Sequence, residues 1–81
     1  MSWNHRVIKE ILDGGEPWFT IHEVFYDKDG KVTVWTESEV NNGSDSVEGL
    51  KWQLRRMLES LDKEVLVEEN RTLVPEKDAK P

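Results

Sequence analysis

The stretch WFTIHEVFYDKDGKVTVWTE, residues 18–37, constrains the fold more than any other part of the chain. Two runs rich in β-branched and aromatic residues flank Asp27-Lys28-Asp29-Gly30, and such runs favour strands. The centre superficially suggests a calcium loop. An EF-hand loop, however, needs glycine at its sixth position and glutamate at its twelfth. Here Gly30 follows Asp27 by three residues, and Val32, Val34 and Trp35 stand where further ligands belong. The segment reads instead as a type I turn opened by Asp27, with Gly30 in the left-handed position that closes a bulged hairpin.

The turn sets a register. With Asp27 facing Lys31, Tyr26 pairs with Val32, Val24 with Val34 and His22 with Thr36. Residues 3–11 (WNHRVIKEI) read as a further strand, joined through the turn-rich Leu12–Pro17. Joining at Leu12 and Pro17 pairs Ile8 with Ile21, Val7 with His22 and Arg6 with Glu23, and a slip of one residue would exchange the faces. One face then carries Trp3, His5, Val7, Ile11, Trp18, His22, Val24, Tyr26, Val32 and Val34, and its few charges mark it as the core. The other carries Arg6, Ile8, Glu10, Phe19, Ile21, Glu23, Phe25, Trp35 and Glu37.

Residues 46–62 have helical periodicity. Val47, Leu50, Leu54, Met57, Leu58 and Leu61 recur at three- and four-residue steps and form one apolar stripe. Trp52 falls almost opposite, beside Arg55, Arg56 and Glu59. Asp45 or Ser46 can cap the start, and Asp45-x-x-Glu48 has the spacing of a capping box. A helix of about 16 residues is roughly 24 Å long, and a seven-residue strand spans roughly 23 Å. One helix can therefore cover one face of a three-stranded sheet but not both. The expected fold is α+β, in the order β-β-β-α: a three-stranded antiparallel sheet with one helix packed on one face. Val65–Val67 is a candidate short C-terminal strand. The domain is expected over residues 1–67, and the polar residues 68–81 read as a flexible tail in which only Leu73-Val74 could dock.

Composition narrows function by exclusion. Eighty-one residues make one small domain, which is marginal in stability by itself. The absence of cysteine excludes thiol catalysis and thiolate metal sites and fits a reducing compartment. Without a signal-like N-terminus or a long apolar run, a cytoplasmic protein with no membrane association is expected. A formal charge of −6 disfavours direct nucleic-acid binding. His5 and His22 are the only imidazoles. Neither has a Cys, Asp or Glu on its expected face to complete a metal site. His22 and Glu23 are strand neighbours that point apart, which rules against an acid–base pair. No serine has a placed base and no glycine-rich phosphate loop occurs, so no cofactor or metal is expected.

The motifs W-N-x-R-V at residues 3–7, I-H-E-V-x-Y-D-x-x-G at 21–30 (with Phe25 at x), W-T-E at 35–37 and M-L-x-x-L-x-x-x-V-L at 57–66 resemble the pattern of a family of small bacterial proteins. The likeness spans about residues 3–67 and implies a bacterial, cytoplasmic, single-domain protein with no assigned activity. Two residues depart from the pattern: Gly49 stands where glutamate is expected and Glu64 where proline is expected. At the level of topology the chain is also similar to the partly degraded RNase H-like fold of HicB-type antitoxins, a likeness that does not extend to function.

The expected function is therefore non-enzymatic: a protein-interaction module, either a homodimer or an adaptor for another protein. Its surface is expected on the sheet face left open by the helix, at Ile8, Phe19, Ile21, Phe25 and Trp35, with Trp52 projecting from the helix. The alternatives are a small enzyme using His22, His5 or Glu23, and an acidic antagonist of a nucleic-acid-binding protein built on Glu37, Glu39, Asp45 and Glu48.

Overall fold

The computed structural model describes residues 2–80. Its elements are β1 (Ser2–Ile11), β2 (Pro17–Tyr26), β3 (Val32–Trp35), α1 (Val47–Ser60), β4 (Leu66–Glu69) and β5 (Thr72–Pro75), followed by a 3-10 turn at Glu76–Asp78. The protein is α+β, with one helix. The sheet has five strands rather than three, in the order β3-β2-β1-β4-β5. It is mixed, because α1 returns the chain so that β4 runs parallel to β1, while every other pairing is antiparallel.

Both hairpins of the β1–β3 meander use the same turn. The amide of Asp27 donates to the carbonyl of Lys31 (2.8 Å) and that of Gly30 to Asp27 (3.0 Å). Leu12 and Glu16 repeat this bond at 2.8 Å, and Gly15 donates to Leu12 at 2.8 Å. Gly15 and Gly30 occupy the left-handed region with φ of 87° and 81°. In that region a side chain would strain the backbone. The Asp27 carboxylate secures the second turn by accepting from the amides of Asp29 and Lys31.

The first turn therefore closes at Glu16, not at Pro17, and the register differs by one residue from the sequence-based expectation. Arg6 pairs with His22, Val7 with Ile21 and Ile8 with Thr20. A second shift occurs at β3. Tyr26 pairs with Val32 as expected, but the ladder is irregular between Phe25 and Tyr26, so Phe25 pairs with Val34 and Val24 with Trp35. Thr33 is the extra residue of this bulge, and its hydroxyl donates to the Phe25 carbonyl at 3.2 Å. A bulge bends a strand and increases its twist. Here it places Val32 and Trp35 on the same face.

These two shifts reassign the core. Ile8, Val24, Leu66 and Leu73 form the buried cluster, with Tyr26, Val32 and Trp35 packed against it. All seven project from one face, the concave side of a curled sheet whose edge strands β3 and β5 meet. The sheet thus closes over its own core, and the helix lies on the convex side against β1. The expected Arg6–Glu23 pair is replaced by a concave-side network. Arg6 donates to the Tyr26 hydroxyl (3.2 Å) and to the Glu64 carbonyl (2.9 Å), and Tyr26 donates to Asn4 (2.7 Å). Arg6 thereby ties the meander to the segment entering β4.

The chain beyond residue 67 is also structured, in place of the expected flexible tail. β4 and β5 pair around Asn70-Arg71, both at positive φ (54° and 65°), the backbone of a tight two-residue hairpin. Leu73 is buried in the core cluster, so this hairpin is the element that completes the curl. Lys9 on β1 reaches Glu76 at 2.5 Å, and Lys77 reaches Glu64 at 2.8 Å.

Candidate functional site

The helix begins where Ser46 caps it, accepting from the Gly49 amide at 3.0 Å. Gly49 therefore takes the third helical position, and the expected Asp45–Glu48 box does not form. From that start, α1 presents an unexpected side to the sheet. Ser60 is fully buried and Gln53 and Met57 are half-buried. Four of the six residues of the apolar stripe face away, Val47 being 70 % exposed, Leu54 48 %, Leu58 66 % and Leu61 59 %, while Leu50 and Met57 are half-buried. At about 100° per residue, these four exposed residues centre roughly 100° from the sheet-facing side. The physical reason lies in the sheet. Its concave face already holds the core, so only Val7 and His5 on the convex face need the helix.

The convex face beyond β1 is likewise apolar. Phe19 and Val34 are 53 % and 51 % exposed, and Ile21 and Phe25 are half-buried beside them. Three of the residues expected at an interaction surface, Phe19, Ile21 and Phe25, thus do share one face. Ile8 and Trp35 do not. Ile8 is buried and Trp35 packs against the core, both on the concave side. Trp52, half exposed, carries the Arg56 guanidinium over its ring at 5.2 Å. The residues missed in the sequence are Val34, moved to the convex face by the Thr33 bulge, and Val47, Leu54, Leu58 and Leu61 of the helical stripe, read there as core.

The two histidines are separated by the register. His22 lies on the concave side, where its Nδ1 faces the Thr36 carbonyl and its Nε2 faces the Thr20 hydroxyl, each at 2.8 Å. A carbonyl only accepts, so Nδ1 carries the proton and Thr20 donates to Nε2 in the neutral ring. With both nitrogens engaged, His22 pins β2 to the chain leaving β3. His5 lies on the convex side, edge-on to Trp3 at 5.5 Å between ring centroids, with Glu23 opposite it on β2. His5, His22 and Glu23 therefore do not converge on one site. Among the described residues no group of three or more His, Cys, Asp or Glu is placed to hold a metal ion.

Two hollows remain. One, of about 200 Å³, lies between the start of β1 and the later turns of α1 and is lined by Trp3, His5, Trp52, Arg56, Glu59 and Lys63, among others. The other, of about 520 Å³, opens on the concave side among Ile8, Trp35, Glu10, Glu37 and Glu68. No family model, curated protein or solved structure matches this chain. Among the described residues no helix is long and apolar enough to cross a membrane.

Proposed function

We propose that this chain is a non-catalytic protein-interaction module that pairs with a second copy of itself. The observation that carries the reading is the orientation of α1: four of the six residues of its apolar stripe face solvent while the chain buries few apolar side chains of its own. Burying the exposed parts of Val47, Leu54, Leu58 and Leu61 is equivalent to burying roughly two and a half side chains, or about 4–7 kcal/mol. That gain is comparable with the whole stability of a domain this size.

A second copy suits the geometry. A helix is about 10 Å wide and strands lie about 4.8 Å apart, so α1 packed against β1 leaves the outer part of β2 and the whole of β3 uncovered, a strip somewhat narrower than a helix. Each chain then offers one stripe and one strip, and a two-fold pairing covers both. Phe19 and Phe25 supply aromatic anchors of the kind favoured at interface centres. The resemblance to small bacterial proteins and a cytoplasmic setting are part of the same proposal.

The test is sedimentation velocity on the full chain and on the Leu54→Lys/Leu58→Lys double variant. Both positions are exposed, so the variant should keep its circular dichroism spectrum. The wild type is expected as a dimer at about 100 μM and the variant as a folded monomer. A wild type that stays monomeric at about 1 mM would overturn self-association.

A further inference from the structure

The groove between β1 and α1 leaves the open edge of a largely buried imidazole facing any molecule bound there. His5 is only 7 % exposed, yet no described residue hydrogen-bonds its imidazole, whereas both nitrogens of His22 are bonded. The open edge of His5 lies in the groove. Glu23 faces His5 from β2, but the lining of the groove itself has a charge balance opposite to that of the chain. The net charge of the whole is −6, but the groove has two cations, Arg56 and Lys63, for one carboxylate, Glu59. Glu59 holds Arg56 only loosely, at 3.6 Å with both side chains more than half exposed. Among the described residues Lys63 has no ion-pair partner.

We propose that this groove binds a single-ring aromatic carboxylate. Trp3 and Trp52 provide the faces or edges on which one ring packs. Arg56 already stacks on Trp52 at 5.2 Å, which presents its guanidinium fork to a carboxylate bound beside that ring. Lys63 adds a second point charge. A hydroxyl on the ring meets His5, which can donate or accept there. Size selects the class. A cavity of about 150 Å³ accommodates benzene, and this one measures about 200 Å³. Nucleotides and other drug-sized ligands need about 300–1,000 Å³. The carbonyl end of α1 opposes an anion beside it. That opposition is blunted because the amides of Leu61, Asp62 and Lys63 already bond the carbonyls of Leu58, Glu59 and Ser60.

The experiment is a nuclear magnetic resonance titration of the full chain with 4-hydroxybenzoate, with benzylamine and acetate in parallel arms. The four tryptophans supply the internal control, because Trp18 and Trp35 do not line the groove. The indole signals of Trp3 and Trp52 and the ring signals of His5 should move saturably, with a dissociation constant on the order of 0.1–1 mM. Trp18 and Trp35 should stay still, and benzylamine and acetate should bind far more weakly. Arg56→Gln and Lys63→Gln, both at exposed positions, should each weaken binding about tenfold without loss of fold. The proposal is overturned if Trp3 and Trp52 do not respond, if all four indoles shift alike, if benzylamine binds equally well, or if both variants bind like the wild type. These readouts follow the groove and not the apolar stripe, so they stand or fall independently of self-association.

Discussion

Leu73→Ala tests whether the C-terminal hairpin belongs to the core. Leu73 is 7 % exposed and packs with Ile8, Val24 and Leu66 where the curl closes. Truncating a buried leucine to alanine costs about 2–5 kcal/mol, less where the site can collapse. β5 is an edge strand, free to relax, so the expected cost is in the lower half of that range, about 2.5 kcal/mol. A domain of this length has roughly 4–12 kcal/mol of stability, so the loss is a large share. Urea denaturation should show it with an unchanged m-value, and the melting temperature should fall by about 10–20 °C. Leu12→Ala, at an exposed turn position, is the control and should change stability by less than about 0.5 kcal/mol. Equal, negligible effects at both positions would mean that residues 68–80 are a tail after all and that the core closes without them.

Gly15→Ala and Gly30→Ala each force a side chain into positive φ without any steric clash, so each should cost about 1 kcal/mol by urea denaturation, and Gly30→Asn should cost less. Accepting the Lys31 amide, and then that of Asp29, holds the Asp27 carboxyl below its ordinary value of 3.8. A group whose folded pKa is depressed contributes stability that is present above its unfolded pKa and is lost as pH falls through the folded one. Stability followed by urea titration should therefore decline as pH falls from about 5 towards 2, and Asp27→Asn should show a shallower decline over that window.

Much of this architecture can be read from the residues, and the exceptions have physical causes. Asp27-Lys28-Asp29-Gly30 specifies its turn because only Gly30 can close it. Leu12-Asp13-Gly14-Gly15-Glu16 specifies the same turn, but the adjoining Pro17 reads as one more turn residue, and that single step exchanges the faces of β1. The bulge at Thr33 leaves no mark in the alternation of Val32, Thr33, Val34 and Trp35, so Trp35 reads as surface and Val34 as core. The second hairpin is hidden for another reason. Asn70-Arg71 lacks the glycine that usually marks such a turn, and Leu66 and Leu73 are single apolar anchors among charged neighbours. The stripe on α1 is plain in the sequence, but its direction is not. That depends on whether the sheet needs a helix to cover its core, and a sheet that curls on itself does not. The groove escapes notice because Trp3 and Trp52 come together only through the helix–strand packing.

Self-association is tested most directly by isotope-filtered nuclear Overhauser spectroscopy on an equimolar mixture of labelled and unlabelled chains at about 1 mM, a concentration that populates even a weak dimer. Pairing of the helical stripe with the partner's convex sheet face predicts cross-peaks between the Leu54 and Leu58 methyl groups of one chain and the Phe19 ring and Val34 methyl groups of the other. Cross-peaks confined to other surfaces would contradict that interface, and a filtered spectrum without intermolecular peaks, from a sample that sediments as a monomer, would contradict self-association itself.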